Sequence, residues 1–291
     1  MTTTQVLERI RQIRALVVGD IRLDRLCGYA PEMAVPEAGG RAACQAVALG
    51  AAEVAVLGVV GGDGAGRELE AALAARGVTT ELLARADAER ELVSRLEAAA
   101  PNYDVVIVAD RAENAEGGVV TAGIREALGR LAQTCGRKTT FWANSPNRPE
   151  HFRNLIVQAP RDGARQACIR AFEEVNYFGL RHITRAPLLM ITHGGDGALI
   201  VHLRGLEWAF ARSIANPASL HGAGDAFSAG AALALWATDD PRAAADFGNL
   251  TAEVTIMKDG AGTASPEEIL EREANARFTR SVPSSPKISR W

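Results

Sequence analysis

What the chain lacks narrows its chemistry first. Among its 291 residues only four are cysteines, Cys27, Cys44, Cys135 and Cys168. They include no C-x-x-C pair, so neither a disulfide framework nor a zinc site is indicated and a reducing cytoplasm is the expected setting. No apolar run approaches the roughly 20 residues of a membrane span. The opening MTTTQVLERIRQIRALVVGD sets Glu8, Arg11 and Arg14 ahead of one short apolar run, which argues against a secretory signal. A formal charge of -3 gives no basic field for nucleic acid. The phosphate-binding pattern G-x-x-x-x-G-K-[ST] is absent, and histidines 151, 182, 193, 202 and 221 show no H-x-x-x-H spacing.

What is present is enough apolar material, 47% of residues, for one large core. Short β-branched runs alternate with alanine-rich segments of helical period, the pattern of a parallel sheet covered by helices. Strands are expected at Ala15 to Gly19, Glu53 to Val60, Asp104 to Ala109, Thr139 to Ala143, Leu155 to Gln158, Leu188 to Thr192 and Ala198 to Leu203. Helices are expected at Ala42 to Leu49, Gly64 to Arg76, Glu81 to Ala98, Val119 to Gln133, Gly222 to Trp236, Pro241 to Lys258 and Pro266 to Ala276. No repeat or linker divides the chain, so residues 1–276 read as one α/β domain. Residues 277–291, RFTRSVPSSPKISRW, read as a loose basic tail. Trp142, Trp208 and Trp236 are expected to pack; Arg148, Arg153 and Arg161 flank a loop and could bind an acidic group of the substrate, a solvated basic face being the commoner explanation.

In such sheets ligands sit beyond the carboxyl ends of the strands, where loops enter helices. The loop HGAGDAFSAG at 221–230 is the most informative of these. Its glycines let backbone approach a ligand, and the following helix points unpaired N–H groups at an anion. Asp225, in the first turn, is placed to take a proton from an attacking hydroxyl beside a transferring phosphate. The same residues also suit an ordinary helix start, where an acidic side chain is favourable. A second cluster, VVGGDGAG at 59–66, does not fit G-x-G-x-x-G, and Asp63 reads better as the N-cap of a helix than as part of a dinucleotide site.

The order of several motifs resembles the ribokinase-like, or PfkB, family of carbohydrate kinases, and within it the bacterial D-glycero-beta-D-manno-heptose-7-phosphate kinases. GAGDAFSAG resembles the family's C-terminal signature; LVVGDIRLD, AGGRAACQAVALGAAEVAVLGVVGGDGAG, LLMITHGGDGALIV and NLTAEVTIMKDGAGTAS follow the family's order. The resemblance implies a ribokinase-like three-layer α/β/α fold with a mostly parallel central sheet and a reduced lid. It implies ATP and Mg2+, and a small sugar or sugar phosphate as acceptor, with no nucleic acid or membrane partner and a homodimer as one possible assembly. By position it makes Asp225 the catalytic base and Gly222, Ala223 and Gly224 the anion hole. Asp24, Gly39, Gly40 and Cys44 fall on the acceptor side. Thr192, Gly194, Gly197, Asn249, Gly262 and Thr263 fall on the nucleotide side.

The sequence also departs from that pattern. Cys44 stands where the family has a substrate-contacting asparagine, and Ser219, Leu220 and His221 replace its Asp-Thr-x. The family's Asn-x-x-Glu, which organises magnesium, aligns with Arg161 and Ala164, with Asp162 available only after a register shift. Residues 79–103 read as one amphipathic helix where the family inserts lid strands, leaving a lid remnant at about 26–38. The expected activity is phosphoryl transfer from ATP to a hydroxyl of a sugar or sugar phosphate, a heptose phosphate among the candidates. The alternative is a catalytically impaired protein of the same fold that binds a ligand or partner.

Overall fold

The computed structural model describes residues 1–24, 35–84, 88–113, 117–212, 214–260 and 262–277. Its β-branched runs assemble into one nine-stranded sheet: β1 (Arg14–Gly19), β4 (Glu53–Val60), β5 (Thr79–Ala84), β6 (Val105–Ala109), β7 (Thr140–Asn144), β8 (Ile156–Pro160), β9 (Leu189–Thr192), β10 (Gly197–His202) and β11 (Gly205–Phe210). The order across the sheet is β11-β10-β9-β8-β7-β6-β1-β4-β5. Every pairing from β5 to β9 is parallel, and β10 and β11 add an antiparallel edge. This is the mostly parallel ribokinase-like α/β sheet that the sequence implies. A separate ribbon pairs β2 (Ile21–Asp24) with β3 (Val35–Ala38), antiparallel. Of the expected lid remnant, residues 26–34 lie outside the described residues, as do 278–291 of the tail.

Ten helices are described: α1 (Thr3–Ile10), α2 (Gly39–Ala48), α3 (Gly64–Ala74), α4 (Ala88–Ala99), α5 (Ala122–Thr134), α6 (Arg161–Phe172), α7 (Tyr177–Thr184), α8 (Ala223–Thr238), α9 (Pro241–Ile256) and α10 (Pro266–Arg277). Alternate residues of each buried strand face opposite ways. In β1, Ala15 and Val17 join the core under α1, α2, α3, α8 and α9, while Leu16 and Val18 join the core under α4, α5, α6 and α7. Both faces are therefore dry, which is why these strands read as continuous apolar runs. Each large side chain buried this way contributes about 1.5–3 kcal/mol before chain entropy is subtracted.

Helix α8 is apolar all round because it is buried all round. Its neighbour α9 comes close through small residues: a Cβ on Gly230 would lie 2.4 Å from Thr251 Oγ1, and one on Gly248 would lie 2.8 Å from Ala231 Cβ.

Three expectations need correction. The single helix from Glu81 to Ala98 is instead strand β5 followed by α4. Thr79 and Thr80 are β-branched and the segment pairs in parallel with Ala55 to Val60, so sheet pairing overrides local helical periodicity. Helices α1, α6 and α7 and strand β11 are additions. Helix α6 buries only Ala164, Ala167 and Cys168, a stripe of small residues too weakly apolar to register as periodic. Arg148 does not belong to a solvated face: it is 3% exposed.

Chain order places the site. After β1 the next strands in the sheet, β4 and β5, add on one side of it, and β6 and β7 then add on the other. The crevice between the loops leaving β1 and β6 is the switch point where ligands bind in open α/β sheets.

Candidate active site

Asp225 sits in the first turn of α8 and is 6% exposed. Gly222 caps that helix at φ +80°, a left-handed conformation that glycine adopts without strain. A Cβ at Gly222 would lie 2.4 Å from Arg41 Cδ, whereas one at Gly224 would meet none of the described residues within 4 Å. The loop thus has one wall, the Arg41 side chain from α2, and one open side, at Gly224. Gly224 is held by its carbonyl, which accepts from Ser228 Oγ at 2.8 Å and Gln158 Nε2 at 3.3 Å. Gln158 is 1% exposed and also accepts from Trp142 Nε1 at 2.9 Å. Strands β7 and β8 therefore fix the start of α8 through one buried amide.

Two donors reach Asp225 from the carboxyl ends of neighbouring strands. Arg111, just past β6, donates through Nη2 to Oδ1, and Asn144, the last residue of β7, donates Nδ2 to the same oxygen at 3.3 Å. The described residues place no hydrogen bond on Oδ2. Burial pushes the Asp225 carboxyl up from its ordinary range; Arg111 and Arg41 pull it down, and Glu37 pushes it up. Arg111 was not singled out in the sequence, where nothing but its place at the switch point marks it.

The loop that carries Arg111 is pinned from below. Asp20, 5% exposed, accepts Arg111 N at 2.7 Å and Val119 N at 3.0 Å. Asp110, 1% exposed, accepts Ser145 Oγ at 2.7 Å and both Nε and Nη2 of Arg148. Such a planar two-donor grip is available to arginine and not to lysine.

On the acceptor side, Asp24 ends β2, and its side chain lies outside the described residues. Gly39 and Gly40 open α2 and are buried: Gly39 N donates to Asp20 O at 3.0 Å, and a Cβ on Gly40 would lie 2.7 Å from Pro36 Cβ. They let the β2–β3 ribbon lie against the helix. Cys44 is 8% exposed, and burial pushes its thiol up to about 11. Gln45, one residue on, was not expected as a site residue. Its amide donates to Ala264 O and accepts Ala264 N, both at 2.9 Å, so α2 clasps the loop that holds Gly262 and Thr263.

On the nucleotide side, Thr192 ends β9, Gly194 is exposed at φ +58°, and Gly197 opens β10 at φ +107°. A Cβ on Gly197 would lie 2.1 Å from Ala209 O, which gives that glycine a packing reason. Asn249 is 7% exposed and donates Nδ2 to Ala209 O at 2.9 Å. One of the two N–H donors of that amide is thus used within the protein. Lys258 Nζ donates to the Thr263 carbonyl and reaches Glu268 at 2.7 Å.

Arg161 and Ala164 both lie in the first turns of α6. Arg161 is exposed and pairs with Asp162, whose side chain is 82% exposed, while Ala164 is 1% exposed. Among the described residues no three His, Cys, Asp or Glu side chains are grouped to hold a metal ion. Asp63 does cap α3, accepting Gly66 N at 3.0 Å. His221 is exposed, and its backbone N donates to Ser219 Oγ. A groove of about 710 Å³ lies elsewhere, between α5 and α7, and none of these residues lines it.

The model of the family described as "pfkB family carbohydrate kinase" matches residues 33–144 and 175–268. No curated protein matches the sequence. Among solved structures, the chain is similar to a fructokinase with bound ATP from Xylella fastidiosa at 16% identity and TM-score 0.74, covering 92% of this chain and 99% of that one. It is similar to a ribokinase from Thermotoga maritima at 14% identity and TM-score 0.70, covering 90% and 100%. It is similar to a nucleoside kinase from Burkholderia thailandensis in complex with ADP-inosine at 17% identity and TM-score 0.64, covering 95% and 100%. At these identities the likeness is one of fold.

Proposed function

The chain belongs to the pfkB family of carbohydrate kinases, and on that premise we propose that it transfers the terminal phosphoryl group of ATP to a hydroxyl of a sugar or sugar phosphate. The observation that carries this reading is the buried Asp225 carboxylate beside the open side of Gly224 at the start of α8. The acceptor hydroxyl gives its proton to Asp225 as its oxygen attacks the γ-phosphorus, and the bond to the bridging oxygen breaks to release ADP. Charge on the moving phosphoryl is met by the N-terminal N–H groups of α8. Positioning and electrostatics supply most of the acceleration in such transfers, with the base adding about 10²–10⁴-fold.

Mg2+ would enter on the nucleotide's own phosphates, since Ala164 stands where the resemblance expects a carboxylate. When bound it would neutralise charge on the β- and γ-oxygens. Arg41 and Arg111, close enough to act on Asp225, give the acceptor side a positive bias. That supports an acceptor with its own anionic group, a seven-carbon sugar phosphate being one candidate.

A coupled ADP-release screen over sugars, sugar phosphates, cyclitols and nucleosides, run with and without Mg2+, tests the reading. Acceptor-dependent ADP formation is expected, reduced at least about 100-fold in Asp225→Asn while nucleotide binding persists. Full turnover in that variant removes Asp225 as the base. The second reading, a binding protein of this fold, is favoured by the substitutions at Arg161 and Ala164. Calorimetric binding of nucleotide with no turnover across the panel would select it.

A further inference from the structure

Among the described residues, Arg111 is the one cation with a direct hydrogen bond to the candidate base, and three features show that its place is built. Its backbone N–H is fixed by the buried carboxylate of Asp20 at 2.7 Å. The preceding residue, Asp110, is locked by Ser145 and Arg148, and the following one, Ala112, accepts Asn147 Nδ2 at 3.0 Å. The guanidinium then reaches Asp225 through Nη2, while Nη1 is buried without a hydrogen-bond partner. A side chain with that much rotamer freedom is not held by accident of the surface: its anchor runs from β1 through the loop after β6 to α8.

The selectivity of the contact matters more than its strength. Arg111 and Asn144 both take Oδ1, so the carboxylate is fixed in rotation with Oδ2 left for the acceptor proton. Among the described residues the charged groups with the largest effect on Asp225 are Arg111 from the loop after β6, Arg41 from α2 and Glu37 from β3. Asn144 from β7 is neutral.

We infer that Arg111 is a positioning residue for phosphoryl transfer: it pins Oδ1 of Asp225, sets a positive charge against the buried carboxyl, and so presents Oδ2 as the base. This rests on the proposed kinase reading for its catalytic consequence, and on the geometry alone for its electrostatic one. Sequence motifs point to Asp225 and the glycines; the arginine beside the aspartate comes from the loop after β6.

The test separates the two. Protein labelled with ¹³C at aspartate carboxyls is titrated by NMR, the Asp225 signal being identified by its loss in Asp225→Asn. In Arg111→Met the Asp225 midpoint is expected to rise by about 1–3 pH units, and in Arg111→Lys by less, because the charge remains and only the directed fork is lost. An unchanged midpoint in Arg111→Met overturns the inference. If the methionine variant does not fold, an unchanged midpoint in Arg111→Lys overturns it instead. With an acceptor in hand, the acid limb of kcat/KM should move by the same interval, with nucleotide affinity unchanged. A limb that stays in place while kcat falls at every pH also overturns it, since a merely structural role would behave so. Absence of turnover in the unmutated protein would remove the kinase reading and leave the titration to decide on Arg111.

Discussion

Two glycines two positions apart should fail in opposite ways. Gly222 adopts φ +80° and faces Arg41, while Gly224 lies in the helix with open space where a Cβ would go. Alanine at 222 must adopt the left-handed conformation, at about 1–2 kcal/mol, and must displace a side chain that is 3% exposed. Alanine at 224 meets none of the described residues and gains up to about 1 kcal/mol in helix propensity. With an unfolding entropy of about 2.1 cal/mol/K per residue, 1 kcal/mol is worth roughly 2 °C in a chain of this length. Gly222→Ala should therefore lower Tm by roughly 2–4 °C or more, and Gly224→Ala should leave Tm unchanged or raise it by up to roughly 2 °C. Activity should not follow stability. If the open side of Gly224 is where the transferring phosphoryl lies, a methyl group there pushes it off the N–H groups, and losing one such donor costs about 10²–10³-fold in kcat. Differential scanning fluorimetry and ADP release on the same preparations read both quantities. A Gly224→Ala protein of normal stability that keeps kcat/KM within about threefold of the unmutated enzyme would refute the cradle.

Other outcomes follow from the buried groups. Arg148→Met should destabilise by about 3–5 kcal/mol in urea unfolding, because among the described residues Asp110, at 1% exposure, then keeps only Ser145 as a side-chain partner; adding Asp110→Asn should recover part of the loss, and strict additivity would contradict the pairing. Burial raises the Asp225 carboxyl above its ordinary 3.8, so the folded state holds that proton more tightly than the unfolded chain. Its contribution to stability is full at acid pH and is lost as pH rises through the folded value. The stability of Asp225→Asn relative to the unmutated protein should thus improve as pH rises above about 4, and a constant difference would contradict the shift. Cys44, with its thiol pushed up to about 11, and buried Cys168 should react with a disulfide reagent only on unfolding, whereas half-buried Cys135 reacts first. Mass mapping in a Cys27→Ser background would show the order.

The sheet was legible because β1, β4, β6 and β7 are buried on both faces and carry unbroken apolar runs. Where burial is partial the signal weakened. Edge strand β5 lies beside only one neighbour and reads as helix, and β11 alternates Leu206, Trp208 and Phe210 with only Ala209 fully buried. Helix α1 is marked by its cap, Thr2 bonded reciprocally with Gln5, and by the short stripe Val6, Leu7 and Ile10 that it buries. The site divided in the same way. Asp225 and its glycines are contiguous, so one loop displays them. Arg111, Asn144, Gln158 and Gln45 act across separations of 66 to 219 residues, and no local pattern encodes such a meeting. Arg148 misled for a related reason: a cation beside a loop looks solvated until the buried Asp110 that it grips is known.

The amide of Gln45 has a consequence for how the site assembles. It joins a helix near the amino end of the chain to a loop 219 residues later, so the segment carrying Gly262 and Thr263 cannot take its final shape until both ends of the chain have met. Closing so long a span is slow compared with forming local turns. The sheet and the start of α8 can be in place while the loop at 262–264 still waits for α2. Acceptor and nucleotide halves are in this sense one mechanical unit, and a graft of either half from a relative would have to bring its own partner for the residue at 45.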